Sequence, residues 1–339
     1  MKIIMGKADD GGCGFYRVIL PAMELSKRGH DVSITSSFNI PSFKGIDILV
    51  LQRQIEEKKC TKLIERAHRH GTKVVYDMDD AFWCIPKYNP AYKYYNEERK
   101  SAMREIIKAC DYVTVSTYPL AEALIKWLPF EKAIDVLPNC MPKIAFKKAI
   151  PVPSKFRIVI AGSPTHLEDW RDAILKASEI VHTLNDTELF IIGLDKEDLP
   201  TAHDHESIHY IPMFKTMGDY MGFLNSMNFS VGLAPLLNNK FNKCKSDCKV
   251  LEYISAGIYP LASKVQPYID SFGSKVEHLV DSKESWYTRI LTVRTIMKEA
   301  YGEYKRTIKN LQSKKEEESI EETIYQWEVL YDSLLRRPN

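Results

Sequence analysis

The stretch Phe156-Arg-Ile-Val-Ile-Ala-Gly-Ser-Pro-Thr-His-Leu-Glu-Asp169 opens with a short, mainly apolar run and continues into small and polar residues. A run of this length before a glycine-containing turn is typical of a buried strand that leads into a helix. An amphipathic pattern over 167–183 predicts that helix. The stretch therefore predicts the first strand and helix of an α/β domain.

Outside this stretch, short apolar runs keep alternating with longer amphipathic segments. Downstream we predict strands at 188–192, 209–211, 229–234 and 259–262, and helices at 217–226 and 247–256. Upstream we predict strands at 2–5, 31–35, 46–51, 73–76, 112–115 and 134–137, and helices at 16–28, 56–70, 96–109 and 118–127. The pattern indicates an α/β protein with two Rossmann-like, doubly wound domains that face each other across a cleft. Such a cleft favours a small-molecule site formed by both domains.

A proline-rich segment separates the two halves of the chain. Between 138 and 153 lie the prolines 138, 142, 151 and 153 and the lysines 143, 147 and 148, a composition that indicates a linker. We therefore predict an N-terminal domain at 1–148, a linker at 149–155 and a C-terminal domain at 156–315. Helix-forming residues dominate from about 284. We predict that 316–339 forms a C-terminal helix that packs back on the N-terminal domain.

Composition restricts the class of protein. The 339 residues are 45% hydrophobic and 27% charged, which is ordinary for a globular protein with room for two domains. No apolar run approaches the roughly 18–20 residues of a membrane-spanning helix, and the first residues lack the apolar core of a signal peptide. We therefore expect a cytoplasmic protein. Seven scattered cysteines predict reduced thiols, and Cys244 with Cys248 would form at most half of a metal site.

Charge is distributed unevenly between the halves. Residues 1–150 carry 24 basic and 18 acidic side chains, a balance of +6, whereas the remainder carries 23 basic and 27 acidic side chains, a balance of −4. This difference favours an anionic partner for the first half.

The segment Asp9-Asp-Gly-Gly-Cys-Gly-Phe-Tyr-Arg17 follows the first predicted strand. Gly12 and Gly14 would let the backbone approach a ligand closely, and the next helix would offer its N-terminal amides to an anion. The segment is not a dinucleotide fingerprint, because Arg17 occupies the place of the third glycine. A simple tight turn is the alternative.

Three carboxylates, Asp77, Asp79 and Asp80, stand within four residues at the end of a predicted strand. Their mutual repulsion must be relieved by water, a cation or hydrogen bonds, and it can raise one of their pKa values. A general base, an acceptor of sugar hydroxyls and a ligand of a divalent metal all suit this chemistry. A polar loop that caps the next segment is the structural alternative.

Small and polar residues also follow the strand at 156–161. Gly162, Ser163, Thr165 and His166 at the strand tip suit recognition of a phosphate or a sugar. His166 could donate a hydrogen bond to either group, or be structural.

The segment 241–257 is the most specific signal in the chain. It brings Lys245, Ser246 and Lys249 to the start of a predicted helix, where ammonium groups, a hydroxyl and amides can converge on a pyrophosphate. Glu252, about one turn further along the face of Lys249, could accept hydrogen bonds from ribose hydroxyls.

Two blocks, Gly-Ser-Pro-Thr-His-x-x-Asp at 162–169 and Lys-Ser-x-x-Lys-x-x-Glu-Tyr-x-x-x-Gly at 245–257, occur in this order. Together they resemble a glycosyltransferase of the GT-B fold, in the retaining group 1 superfamily and a subgroup familiar from bacterial and bacteriophage proteins. Tyr-Arg-Val-Ile-Leu-Pro at 16–21, the Asp-x-Asp-Asp block and Leu-Pro-Asn at 137–139 are similar to that subgroup too.

The resemblance implies that the C-terminal domain binds a nucleotide-diphosphate sugar, most simply a UDP-sugar. Glu252 matches the second glutamate of a family motif, which implies ribose binding, whereas Cys244 occupies the place of the first. An arginine and a lysine of better-known members are replaced by Ser163 and Asp169, so Lys245 and Lys249 are expected to offset the diphosphate charge.

The mechanism implied by the family retains the anomeric configuration and needs neither a metal nor a cofactor. The diphosphate leaves as lysines and helix amides stabilise its charge. By the same resemblance, Asp77, Asp79 or Asp80 would hold or deprotonate the acceptor hydroxyl. Gly12, Gly14 and Arg17 would close on the phosphates or the donor sugar.

Several alternatives remain open at the level of the sequence. A metal-dependent glycosyltransferase of the other common fold would use Asp77 and Asp79 as manganese ligands. A nucleotide-sugar epimerase shares the GT-B architecture, and a catalytically decayed sugar-nucleotide-binding protein would need no reaction. For the acceptor we expect an anionic molecule, either DNA with hydroxymethylated bases or a lipid-linked or cell-surface glycan.

Overall fold

The computed structural model describes residues 1–147, 149–199 and 205–336. Lys148, the last residue of the predicted N-terminal domain, and positions 337–339 of the predicted C-terminal segment lie outside the described residues. The described chain contains two parallel sheets of six strands each, with helices packed against them. This architecture confirms the predicted fold class of two Rossmann-like domains.

The N-terminal sheet has the strand order β2-β1-β3-β4-β5-β6. Its strands are β1 (Lys2–Gly6), β2 (Asp31–Thr35), β3 (Ile48–Gln52), β4 (Lys73–Met78), β5 (Tyr112–Val115) and β6 (Ile134–Val136). Its helices are α1 (Gly12–Gly14), a π-helical turn at Phe15–Ile19, α2 (Leu20–Lys27), α3 (Glu57–His68), α4 (Glu97–Ala109) and α5 (Tyr118–Trp127). Every residue of β3 is buried, because helices cover both faces of a parallel sheet.

The C-terminal sheet has the strand order β12-β11-β10-β7-β8-β9. Its strands are β7 (Phe156–Ala161), β8 (Thr187–Ile192), β9 (Ile208–Ile211), β10 (Val231–Ala234), β11 (Tyr259–Ser263) and β12 (Leu279–Val280). Its helices are α6 (Leu167–Thr183), α7 (Met217–Ser226), α8 (Lys240–Lys243), α9 (Cys248–Ser255), α10 (Tyr268–Phe272), α11 (Trp286–Glu299) and α12 (Tyr301–Glu317). The stretch that opens with Phe156 pairs in register with β8, from Phe156 opposite Thr187 to Ala161 opposite Ile192.

The strand orders determine where ligands can bind. In the first sheet the chain runs from β1 to β2 on one side and then returns to β3 on the other side. In the second sheet it runs from β7 to β8 and β9 and then returns to β10. Ligands of open α/β sheets bind at the carboxyl ends of strands where the order reverses in this way. The turns after β1 and β7 therefore occupy the two crevices.

The chain ends in two helices that lie on the N-terminal domain. They are α13 (Ile320–Thr323) and α14 (Tyr325–Arg336). Ile324 and Trp327 are buried in one apolar cluster with Ile3 of β1 and Leu25 of α2. These contacts tie the end of the chain to its beginning by burial of apolar surface.

Candidate functional site

The turn after β1 is organised by Asp9. Its Oδ1 atom accepts hydrogen bonds from the amides of Gly11 at 2.9 Å and Gly14 at 3.1 Å. A Cβ atom at Gly14 would lie 2.0 Å from the carbonyl oxygen of Asp9, so this position requires glycine. At Gly12, in contrast, no described atom lies within 4 Å of such a Cβ atom. Gly12 therefore faces open space, whereas Gly14 closes the turn.

Arg17 and Asp77 form a buried ion pair inside the N-terminal domain. Nε of Arg17 donates to Oδ1 of Asp77 at 3.0 Å, and Nη2 donates to Oδ2 at 2.6 Å. Thr114 also donates to Oδ2 at 2.7 Å, and Nη1 of Arg17 donates to Oδ1 of Asn139 at 3.1 Å. Arg17 is only 1% exposed. Both groups are thus engaged with each other and do not face the cleft.

The two other carboxylates of the cluster have different surroundings. Oδ1 of Asp80 accepts a hydrogen bond at 3.2 Å from Nζ of Lys245, which belongs to the C-terminal domain. Asp79 is 7% exposed, and within the described chain its Oδ1 atom has no hydrogen-bond partner. The nearest cation is Arg53, whose Nε atom lies 3.6 Å from that oxygen. The sequence does not point to Arg53, because nothing in its local pattern distinguishes it.

Lys245 is partly buried against the opposite domain and remains charged. Burial acts to lower the pKa of its ammonium group, but the charge and hydrogen bond of Asp80 outweigh burial and raise this pKa. Its Nζ atom also lies 4.6 Å from the centre of the Phe241 ring. The pair with Asp80 therefore bridges the two domains.

Glu252 is 2% exposed and is surrounded by donors. Oε2 accepts from Nζ of Lys249 at 2.6 Å and from the hydroxyl of Tyr220 at 3.0 Å. Oε1 accepts from the hydroxyl of Tyr16 at 3.0 Å, across the domain boundary. Burial, followed by the charge of Glu252, raises the pKa values of both tyrosines well above the usual range. Tyr16 lies in a motif block that the sequence singles out, but no sequence signal indicates its partner.

The turn after β7 is tightly packed. A Cβ atom at Gly162 would lie 2.7 Å from the ring of Trp170. The hydroxyl oxygens of Ser163 and Thr165 are 2.6 Å apart, and Nδ1 of His166 lies 3.2 Å from Oδ2 of Asp169. These contacts give the turn one fixed shape.

His166 is uncharged at neutral pH. Burial lowers its pKa, although the hydrogen bond to Asp169 acts in the opposite direction. Because the Asp169 carboxylate accepts at Nδ1, that nitrogen carries the proton. Oδ1 of Asp169 accepts from the amide of Leu237 at 3.0 Å and from Asn242 at 2.8 Å, so Asp169 also fixes the loop before α8.

Cys244, which occupies the place of the family's first glutamate, is a packing residue. Together with Phe241 it is buried in the apolar core of the N-terminal domain, where Cys244 is 5% exposed. Thr117 of that domain donates to its carbonyl oxygen at 2.9 Å. Burial raises the pKa of its thiol to about 12, so the thiol is protonated at neutral pH.

Within the described part of the chain, no group of three His, Cys, Asp or Glu side chains is arranged to hold a metal ion.

The cleft between the domains contains a cavity of about 110 Å³. Four predicted site residues line it, and they are Gly12, Gly162, Lys249 and Glu252. Gly11 and Tyr220 lie on the same walls. The cleft thus joins the two crevices at which the strand orders reverse.

Ser246 lies elsewhere. Its Oγ atom accepts from Nδ2 of Asn139 at 2.8 Å, and it lines a second depression between the domains, together with Lys315.

Of the described helices, none is long and apolar enough to cross a membrane.

No family model matches the chain, and no curated protein matches it in sequence. Several solved structures share its architecture over nearly their whole lengths. Sucrose-phosphate synthase from Thermosynechococcus elongatus has a TM-score of 0.69 and 13% identity, over 98% of this chain and 99% of that one. HepE of Anabaena in complex with UDP and glucose has a TM-score of 0.66 and 11% identity, over 98% and 99%. WaaG, a glycosyltransferase involved in lipopolysaccharide biosynthesis, has a TM-score of 0.63 and 14% identity, over 99% and 100%.

These identities are too low to transfer an activity, but the likeness in structure is extensive. It covers both domains and the C-terminal helices of this chain. The chain therefore has the GT-B fold, as the sequence motifs predict.

Proposed function

We propose that this protein is a glycosyltransferase that moves a sugar from a nucleotide-diphosphate donor, UDP-linked, to an acceptor hydroxyl. One observation carries the proposal: Lys249 and Glu252, both in α9, line the interdomain cleft opposite Gly11 and Gly12. A cation and a carboxylate at this spacing suit the diphosphate and the ribose of one nucleotide. A neighbour of the same fold has been solved with UDP and glucose.

When the donor binds, its diphosphate replaces the carboxylates that pair with Lys245 and Lys249 in the free protein. In the free protein Lys245 is paired with Asp80, and Lys249 is paired with Glu252. A diphosphate brings more charge than one carboxylate, and the lysines then stabilise the charge that grows as the glycosidic bond breaks. In this proposal the transfer needs no metal ion and retains the anomeric configuration.

On the acceptor side, Asp79 is the carboxylate that interacts with the attacking hydroxyl. Asp77 is engaged by Arg17, and Asp80 is engaged by Lys245. Asp79 alone among the three has a buried oxygen without a hydrogen-bond partner in the described structure. An acceptor hydroxyl that donates to this oxygen would satisfy it and would be oriented for attack.

Arg17 and Asp77 are positioning residues in this proposal rather than groups that contact substrate. Arg17 fixes the orientation of Asn139, whose amide nitrogen then donates to Ser246 in the loop before α9. The buried pair thereby connects the N-terminal core to the loop that presents Lys245.

The test is a screen of nucleotide-diphosphate sugars by mass spectrometry, with DNA carrying hydroxymethylated bases and simple glycans offered in parallel as acceptors. We expect one donor to be consumed and its sugar to appear on one acceptor. Lys249→Gln should reduce donor turnover about 100-fold, which is typical for the loss of one group that stabilises transition-state charge. Lys283→Gln, at an exposed position away from the cleft, should retain full activity.

Other outcomes would contradict the proposal in different ways. Binding of a UDP-sugar without any turnover would identify a sugar-nucleotide-binding protein. Conversion of the donor sugar in the absence of an acceptor would identify an epimerase. Full turnover by Lys249→Gln would disprove the assigned role of the donor site.

A further inference from the structure

We propose that Arg53 is a positioning residue for the transfer, which holds the Asp79 carboxylate charged and oriented toward the acceptor hydroxyl without forming a hydrogen bond to it. This inference rests on the proposed function, in which Asp79 interacts with that hydroxyl. It follows from the backbone conformation of Arg53, the distance between the two side chains and the aromatic packing around the guanidinium.

Arg53 has a backbone conformation that is unfavourable for residues other than glycine. It directly follows β3, and its φ angle of 51° lies in the left-handed region. Such a conformation costs energy, persists where the surroundings enforce it and is concentrated at functional sites. Here the adjacent strand enforces it, because the amide of Arg53 donates to the carbonyl oxygen of Asp77 in β4 at 2.9 Å. Arg53 thereby lies beside the end of the strand that carries the aspartate cluster.

The contact between Arg53 and Asp79 supplies charge without a hydrogen bond. Nε of Arg53 lies 3.6 Å from Oδ1 of Asp79, beyond hydrogen-bond distance. Asp77 differs, because Arg17 donates to both of its oxygens. Oδ1 of Asp79 is buried and has no partner in the described structure, so it can still accept from an incoming hydroxyl. A charged carboxylate in such a place is costly without a nearby cation, and Arg53 provides that cation.

Asp79, rather than Asp9, is the main electrostatic partner of Arg53. Both carboxylates have an oxygen 3.6 Å from the guanidinium group. However, the Asp9 side chain is 37% exposed, whereas that of Asp79 is only 8% exposed, and water screens the exposed pair more strongly. Burial acts to lower the pKa of Arg53, but nearby negative charge, of which Asp79 contributes most, raises this pKa well above the usual value. The charge of Arg53 therefore acts mainly on Asp79.

Aromatic packing holds the guanidinium beside Asp79. Its central carbon lies 4.6 Å from the centre of the Phe82 ring, and Phe82 follows Asp79 by three residues. Tyr95 stacks on Phe82 with ring centres 4.5 Å apart, and the Tyr95 hydroxyl accepts from Nη2 of Arg53 at 3.5 Å. The segment that carries Asp79 thus also holds Arg53, which keeps the two side chains in one relative orientation.

The test is a double-mutant cycle of Arg53→Gln and Asp79→Asn on the full chain. The reaction is transfer from UDP-glucose, UDP-galactose or UDP-N-acetylglucosamine to DNA with hydroxymethylcytosine or to methyl glucoside. Arg53→Gln should lower kcat about 10-fold to 100-fold through lost orientation of the hydroxyl, with the KM of the donor unchanged. In the Asp79→Asn background, Arg53→Gln should have no further effect, because Arg53 acts through that carboxylate.

Two further variants and a binding measurement separate this role from a structural one. Arg53→Lys retains the positive charge and should be more active than Arg53→Gln. Arg306→Gln removes an exposed arginine of α12 and should behave as the wild type does. Calorimetric titration with UDP reports on the fold and the donor site, and we expect Arg53→Gln to bind UDP with wild-type affinity.

The outcomes separate this inference from the proposed function. Three results would overturn the role of Arg53 alone: wild-type transfer by Arg53→Gln, equal losses with and without Asp79→Asn, or no gain from Arg53→Lys over Arg53→Gln. Weaker UDP binding by Arg53→Gln, with a raised KM, would assign Arg53 to the donor site or to the fold instead. Absence of transfer from every UDP-sugar by the wild type would count against the proposed function itself.

Discussion

The Arg17–Asp77 pair is a buried contact that, in our proposal, positions the site without facing a substrate. Two hydrogen bonds, at 3.0 and 2.6 Å, join the guanidinium to the carboxylate, and Thr114 and Asn139 satisfy further atoms of both groups. A buried ion pair of this kind contributes little beyond what an apolar pair would, but removal of one partner leaves an uncompensated charge. Removal of one partner therefore lowers the free energy of unfolding by much more than the intact pair adds to it.

Arg17→Met should lower the free energy of unfolding by about 3–5 kcal/mol, because the Asp77 carboxylate would stay buried without its cation. Urea denaturation followed by fluorescence measures this change. The matched control is Arg28→Met, which removes an arginine whose partner, Glu328, is reached at the surface. Arg28→Met should have a much smaller effect. Equal losses for the two variants would mean that the interior tolerates the lone carboxylate.

The two glycines of the first turn separate folding from binding. Gly14→Ala should destabilise the protein, because a Cβ atom 2.0 Å from the Asp9 carbonyl oxygen forces the turn to move. Gly12→Ala should leave stability almost unchanged, because its Cβ atom meets no described atom within 4 Å, yet it lines the donor cleft. We expect Gly12→Ala to weaken UDP binding. Thermal unfolding and calorimetric titration of both variants test this, and the reverse pattern would refute it.

His278 anchors β12, the last strand of the C-terminal sheet. It ends the short 3-10 turn Val276–His278 before β12, and its Nδ1 atom donates to the carbonyl oxygen of Pro260 in β11 at 3.0 Å. Burial lowers its pKa to about 4. In the unfolded chain the pKa is about 6.5. Between pH 4 and pH 6.5, therefore, His278 is protonated in the unfolded state and neutral in the folded state.

Stability should consequently fall as the pH drops from about 7.5 to 5, and His278 alone should account for about 2 kcal/mol of that fall. His278→Gln keeps a donor for Pro260 but cannot titrate, so its pH dependence should be shallower than that of the wild type. His166, whose pKa is also lowered, acts in the same direction and leaves some dependence. His70→Gln, at an exposed position, should behave as the wild type does. Parallel slopes for His278→Gln and the wild type would rule out this assignment.

The elements themselves were predictable, because apolar runs and amphipathic segments record burial along the chain. The strand predicted at 156–161 and the helix predicted at 167–183 coincide with β7 and α6. Contacts between distant residues were not predictable in this way. Arg17 and Asp77 are 60 positions apart, and the packing of α8 into the opposite domain depends on how the domains meet. Local patterns thus predict elements, whereas the partners of site residues depend on tertiary structure.

The two domains are held together by contacts at groups that the proposed donor would need. Lys245 of the C-terminal domain pairs with Asp80 of the N-terminal domain, and Tyr16 donates to Glu252. Away from the cleft, Asn89 donates to the carbonyl oxygen of Thr165 at 3.1 Å. In the donor site that we propose, a nucleotide would have to replace part of these interactions.

Tyr16→Phe tests this competition most directly, because it removes only one hydroxyl. If ribose takes the Glu252 oxygen that Tyr16 occupies, the wild type gives up a hydrogen bond to a charged group when UDP binds. The variant has no such bond to lose, so its affinity for UDP should rise up to about tenfold. Tyr304→Phe is the matched control, since its buried hydroxyl donates to the carbonyl oxygen of Ser230 far from the cleft and its loss should not change UDP binding. Calorimetric titration measures both variants, and weaker UDP binding by Tyr16→Phe would mean that this tyrosine contacts the donor instead of competing with it.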